Sequence, residues 1–121
     1  MLKWNEYEFI ECLGVLPEVG QDELSHFFRI EKDGLRLELV VFQYDADVRV
    51  EIYKQGLDAP IFQTQIMSCP GVRYVSEKNE REYLEFAGLF GYSGFDEEPS
   101  PIRMVMRVMV NPQIKIELSI S

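Results

Sequence analysis

Between Leu35 and Lys54 the chain alternates apolar and polar residues with a period of two. Leu35, Leu37, Leu39 and Val41 fall on one parity, with Arg36 and Glu38 between them. After Tyr44-Asp45-Ala46-Asp47, the residues Val48, Val50 and Ile52 alternate with Arg49, Glu51 and Tyr53. A pleated strand sends successive side chains to opposite faces, so each run gives a strand with one apolar face. A short polar turn joining two such runs predicts an antiparallel hairpin. A helix cannot gather these residues on one side, so the stretch commits the chain to a β-rich fold.

The flanking segments extend this pattern. Asn5 to Leu13 reads as a short helix, capped by Asn5, with Glu8 three residues on in a capping-box arrangement. Its Phe9, Ile10 and Leu13 share a face, and Gly14 is placed to end it. Glu6 and Glu8 suit the positive end of the helix dipole. Leu16 to Gly20 reads as a connector, punctuated by Pro17 and Gly20. Leu24 to Glu31 alternates as a strand, and Asp33-Gly34 turns it into the hairpin. Further strands are expected over Ile61 to Ser68 and Val72 to Ser76. Arg81 to Phe90 is read as a strand, because Leu84 and Phe86 alternate with Glu85, although its Glu, Leu and Ala content also suits a helix. Gly91 to Pro101 reads as a loop, and Gly88 to Gly94 as a flexible connector. Ile102 to Val110 and Ile114 to Ile120 form a second hairpin about Asn111-Pro112. The expected architecture is α+β and mainly β: an N-terminal helix on an antiparallel, curved sheet or two-layer sandwich of about seven strands, in one domain spanning 1–121. Val40, Phe42, Val105 and Met109 point outward on this pattern, to be covered by the helix or by a partner, including a second copy of the chain.

Charge narrows the function. The chain of 121 residues holds 21 acids against 12 bases, a formal net charge of −9. Such a field repels nucleic acid and an acidic membrane surface, so neither is an expected partner. Residues 1 to 23 carry −5 and residues 77 to 98 another −5, leaving the rest near neutral. No apolar run reaches the ~18 residues of a membrane span, and the first residues lack a signal-peptide pattern, so the expected location is cytoplasmic. Cys12 and Cys69 then read as two buried thiols, with a single disulfide between them as the alternative.

No chemistry-bearing motif stands out. His26, the single histidine, lies between Leu24 and Phe28 on an apolar face and reads as a core residue satisfied by a backbone or carboxylate group. One histidine and two distant cysteines make no metal-ligand pair, so no metal or cofactor is expected. Asp45 and Asp47 lack the remaining ligands of a calcium loop. The best candidate for binding is the loop Tyr92, Phe95, Asp96, Glu97 and Glu98, joined by Glu8 and Glu11 on the helix. Aromatic anchors beside a charged rim are what a protein interface uses. Small acidic single domains of this composition include immunity proteins of bacterial toxin systems and small adaptors, a likeness of composition alone. The preferred reading is a non-enzymatic protein-interaction module of the inhibitor or immunity kind, with a basic protein as partner. A carrier of an apolar ligand in a sheet–helix pocket and a carboxylate-dependent enzyme are the alternatives.

Overall fold

In the computed structural model, residues 2–21, 24–77, 81–93 and 100–120 are described. Among these residues one helix, α1 (Glu6–Leu13), precedes nine strands: β1 (Glu18–Val19), β2 (Ser25–Lys32), β3 (Leu35–Phe42), β4 (Asp47–Lys54), β5 (Phe62–Ile66), β6 (Val72–Glu77), β7 (Arg81–Ser93), β8 (Ser100–Met109) and β9 (Lys115–Ile120). They form two antiparallel sheets, ordered β1-β2-β3-β4-β5 and β6-β7-β8-β9. Within each sheet the strands follow one another in sequence order, which short connections favour.

The central hairpin forms as its alternation predicts. Leu39 pairs with Val50, and Val41 with Val48. Leu37, Leu39, Val41, Val48 and Val50 are fully buried, while Ile52 is half-buried. The opposite parity departs from expectation. Arg36, Glu38, Arg49 and Glu51 are half-buried rather than exposed, because they lie flat across their neighbours. Arg36 stacks 4.3 Å from the Tyr53 ring centre, and its Nε stands 3.1 Å from Glu38 Oε1 without the alignment of a hydrogen bond. Arg49 covers Phe42, and Arg29 covers Phe27, each at 5.3 Å. Arginine stems and planar heads pack on aromatic faces in this way. Phe42 is therefore shielded by a side chain of its own sheet, Val40 is half-buried, and α1 packs on β6 and β7.

The helix is bounded as its sequence predicts. Asn5 accepts a hydrogen bond from the Tyr7 amide at 2.9 Å. Gly14 takes a left-handed φ of 75°, and its amide donates to the Ile10 carbonyl at 2.8 Å. The helix buries Phe9, Cys12 and Leu13. The Phe9 ring lies 5.4 Å from Phe28 on the first sheet and 5.9 Å from Phe86 on the second. One helical side chain thus joins both sheets into a common core with Leu84, Met106 and Val108.

Several connections differ from the sequence reading. The Leu16–Gly20 connector contains β1, whose Glu18 and Val19 pair with Phe27 and His26; two residues are too few for any periodicity to announce. Arg81 to Phe90 is a strand, and it continues to Ser93, with Tyr92 opposite Pro101. The expected loop from Gly91 is therefore partly sheet, and Gly88 is part of a strand rather than a flexible connector. The antiparallel bridge Met67–Leu89 brings the end of β5 against β7. Lys32 Nζ ties the first sheet to the last turn, donating to Val110 O at 3.1 Å and Asn111 Oδ1 at 2.7 Å. Met109 is buried rather than outward-facing, Val105 is half-buried, and Leu118 and Ile120 are exposed at 43% and 81%. Isolated parity assigns a face; it does not reveal where the opposing sheet ends.

Candidate protein-interaction surface

Among the described residues, acids of the N-terminal helix lie on the strands that carry Glu82 of the late acidic segment. Helix α1 carries Glu8, half-buried, and Glu11, exposed, and it packs on β6 and β7. Those strands supply Tyr74 and Glu82. The Tyr74 hydroxyl donates to Glu82 Oε2 at 2.5 Å. This bond, then burial, then the charges of Glu82, Cys12 and Glu11 push the Tyr74 phenol up to about 12. Glu82 and, more weakly, Glu11 thus both act on the Tyr74 phenol. Tyr7, on the same helix, is 82% exposed. Leu16 just beyond the helix is also exposed. The result is an acidic face with an accessible aromatic ring and an accessible aliphatic side chain. Tyr74, Glu82 and Tyr7 were not singled out from sequence. The first two become neighbours of Glu11 only through helix-on-sheet packing, which no local pattern encodes.

The other proposed binding residues fare differently. Tyr92 lies on β7, opposite Pro101. Phe95, Asp96, Glu97 and Glu98 fall outside the described residues. Asp45 sits exposed in the β3–β4 turn, and Asp47 begins β4. Among the described residues, no three His, Cys, Asp or Glu side chains gather as a metal site would require.

The histidine and both cysteines are withdrawn from the surface. His26 is 8% exposed and packs edge-on against Trp4 at 4.8 Å. Its Nε2 stands 4.0 Å from Glu6 Oε2, whereas its buried Nδ1 has no hydrogen-bond partner. It is the core residue expected, but only one side of the ring is near a polar group. Burial, with Glu82 as a second cause, pushes the Cys12 thiol up to about 12. Burial likewise raises Cys69. Both cysteines are free, and both are held as unreactive thiols.

The space that an apolar carrier would need between helix and sheets is filled by Phe9, Phe28 and Phe86, each at most 1% exposed. A surface groove of about 500 Å³ lies instead at the end of the first sheet, lined by Lys32, Asp33, Arg36, Tyr53 and Lys54 among others. Its charged rim does not suit an apolar ligand.

No protein-family model matches the sequence, and no curated protein matches it. Comparison with solved structures gives a match over nearly the whole chain. Its fold resembles one chain of a toxin–immunity pair. The pair is a contact-dependent growth inhibition toxin–immunity protein complex from Klebsiella pneumoniae 342. The TM-score is 0.75, with 13% identity, over 97% of this chain and 95% of the other. At that identity the likeness is one of fold.

Proposed function

We propose that this chain is an immunity-type protein, a non-enzymatic module that binds a protein toxin and neutralises it. The observation that carries the reading is the fold likeness, over 97% of the chain, to a member of a toxin–immunity complex. Such a pair has two kinds of member, and the chemistry here favours the inhibitor. Its thiols are buried and hard to ionise, and its histidine is packed beneath Trp4. Nucleophilic or general-base catalysis draws on such groups when they are accessible and paired. The partner surface is basic in this reading. Glu8, Glu11 and Glu82 provide a negative field, which steers an oppositely charged partner into encounter, and Tyr7 offers an aromatic contact of the kind enriched at interface hot spots. The buried free thiols support a reducing, cytoplasmic site of action.

The deciding experiment is expression of the chain alone, and then together with candidate toxin domains from the same source. Growth should be normal with the chain alone. Co-expression should rescue growth from the toxin and yield a complex that co-purifies. Growth arrest by the chain alone would assign it to the toxin side of the pair. Failure both to bind and to protect would reject the immunity reading.

A further inference from the structure

We propose that β9 is a dimerisation strand, pairing antiparallel with β9 of a second copy about a two-fold axis through Leu118. Among the described residues, this strand ends the second sheet, with β8 its single neighbour. Among the described residues, no hydrogen bond reaches its outer edge. The other sheet edges are managed. β1 is two residues long. β5 presents Gln63, Thr64 and Gln65, and Met67 just beyond it exchanges hydrogen bonds with Leu89. The edge beside β6 receives Lys3, which accepts from the Val72 amide at 3.2 Å and donates to Pro70 at 3.4 Å. β9 instead shows apolar side chains on one parity: Ile116 half-buried, Leu118 43% exposed and Ile120 81% exposed. An open edge with an apolar face is a template for another strand.

Register identifies the occupant. A two-fold axis normal to the sheet keeps each face continuous, so it must pass through one residue of the strand. With the axis at Leu118, Leu118 faces its own copy, Ile116 faces the partner copy's position 120, and Glu117 faces the partner copy's position 119, a serine. Every apolar residue on the exposed parity then meets an apolar residue, and no like charges are opposed. An axis at Glu117 would set two carboxylates directly opposite each other, which is unfavourable. An axis at Ser119 would pair only residues 118–120 of β9, and one at Ile116 only residues 115–117. Of the axes that oppose no like charges, the one at Leu118 therefore pairs the most of β9, five residues, close to the ordinary length of a strand. Helix α1 packs on β6 and β7, at the other end of the four-stranded order. Pairing through β9 leaves the acidic helix face of each copy open, so the dimer does not depend on the immunity reading.

Sedimentation of the purified full chain over a wide concentration range should give a species of twice the chain mass. Leu118→Arg opposes two like charges at the axis and should raise the dissociation constant at least tenfold. Its melting temperature, measured at monomer concentrations, should match wild type, since Leu118 is partly solvent-facing in the single chain. Under mild oxidation Leu118→Cys should give a disulfide-linked dimer, and Ser119→Cys should not, because it lies out of register with itself. A chain that stays monomeric at every concentration overturns the proposal, as does a dimer indifferent to Leu118→Arg or one that crosslinks through position 119. If wild type is monomeric and Leu118→Arg instead abolishes toxin binding, the edge serves a partner strand and not a second copy.

Discussion

Gly88 lies so close to Ile66 that a Cβ added to the glycine would stand 2.5 Å from Ile66 Cγ2. The same Cβ would be 2.9 Å from the Met67 carbonyl oxygen. This is where the end of β5 crosses β7 and exchanges two backbone hydrogen bonds with Leu89, at 2.8 and 2.9 Å. Two sheets can join here only if one strand lacks a side chain. Gly88→Ala should therefore destabilise the protein by roughly 1–3 kcal/mol, the usual cost of overpacking. A midpoint in urea equal to that of wild type would contradict the close approach.

The core of the hairpin sets a second expectation. Leu39 is fully buried between Phe28 and Val50, its partners across the sheet. Leu39→Ala should cost about 2–5 kcal/mol, depending on how far the site relaxes. Chemical denaturation of the two proteins side by side measures it.

These two positions mark what local sequence can and cannot convey. Leu39 belongs to a period-two run, and period alone assigns its face. The Asn5 cap and the Gly14 stop are equally local, and α1 begins and ends where they direct. Gly88 sits in a segment whose glycine spacing imitates a turn, although the glycine is required by a strand more than twenty residues earlier. Met109 has outward parity yet is 3% exposed, on the face where Arg81 and Arg107 lie over Tyr83. The candidate surface divides in the same way. Glu8 and Glu11 were legible as an acidic helix face, whereas Tyr74 and Glu82 join them through packing alone.

The outer face of the second sheet makes a prediction in acid. Arg73 and Arg107 bind the two oxygens of Glu85 at 2.8 and 2.9 Å. Arg81 contacts both oxygens of Glu117 at 2.7 and 2.8 Å. The Lys115 hydrogen bond, with Arg81 beside it, holds the Glu117 carboxyl below its ordinary range. A depressed folded-state pKa contributes stability above the unfolded value, near ~4.3 for glutamate, and that contribution fades as pH falls through the folded value. Glu117→Gln should thus be less stable than wild type at neutral pH, and the difference should shrink below about pH 4. Urea melts at pH 7, 5 and 3 would test this; a gap that does not change with pH would count against it.

Tyr74 carries the alkaline counterpart. Its hydrogen bond to Glu82 raises the phenol to about 12. A raised folded-state value contributes stability that is complete below the unfolded pKa of ~10 and is lost as pH climbs from there toward the folded value. Absorbance at the tyrosinate band should therefore contain a late-titrating component that disappears in Tyr74→Phe. Tyr53, also raised by its bond to Glu51, should persist in that variant. Loss of the Tyr74 hydroxyl should also lower stability at neutral pH by ~1 kcal/mol, the typical net worth of one hydrogen bond.

The acidic helix face yields the prediction closest to function. Glu8 and Glu11 stand on one helix, and Glu82 and, more weakly, Glu11 both act on Tyr74. If a basic toxin surface docks there, the acids act first on encounter, over the ~8 Å reach of charge at physiological salt. Reversing both to lysine should slow association with the toxin about tenfold or more at low salt, and flatten its salt dependence. Tyr7→Ala should act chiefly on dissociation, as loss of a packed aromatic anchor does. Folding should survive, because Tyr7 and Glu11 are exposed and Glu8 contributes only ~0.5 kcal/mol through the helix dipole. Reversing Glu31 and Asp33 instead, at the β2–β3 turn, changes the net charge equally without touching α1. Surface plasmon resonance at two ionic strengths separates the cases. Equal slowing by both pairs would mean that net charge alone steers the partner, and wild-type rates in the Glu8/Glu11 and Tyr7 variants would remove α1 from the interface.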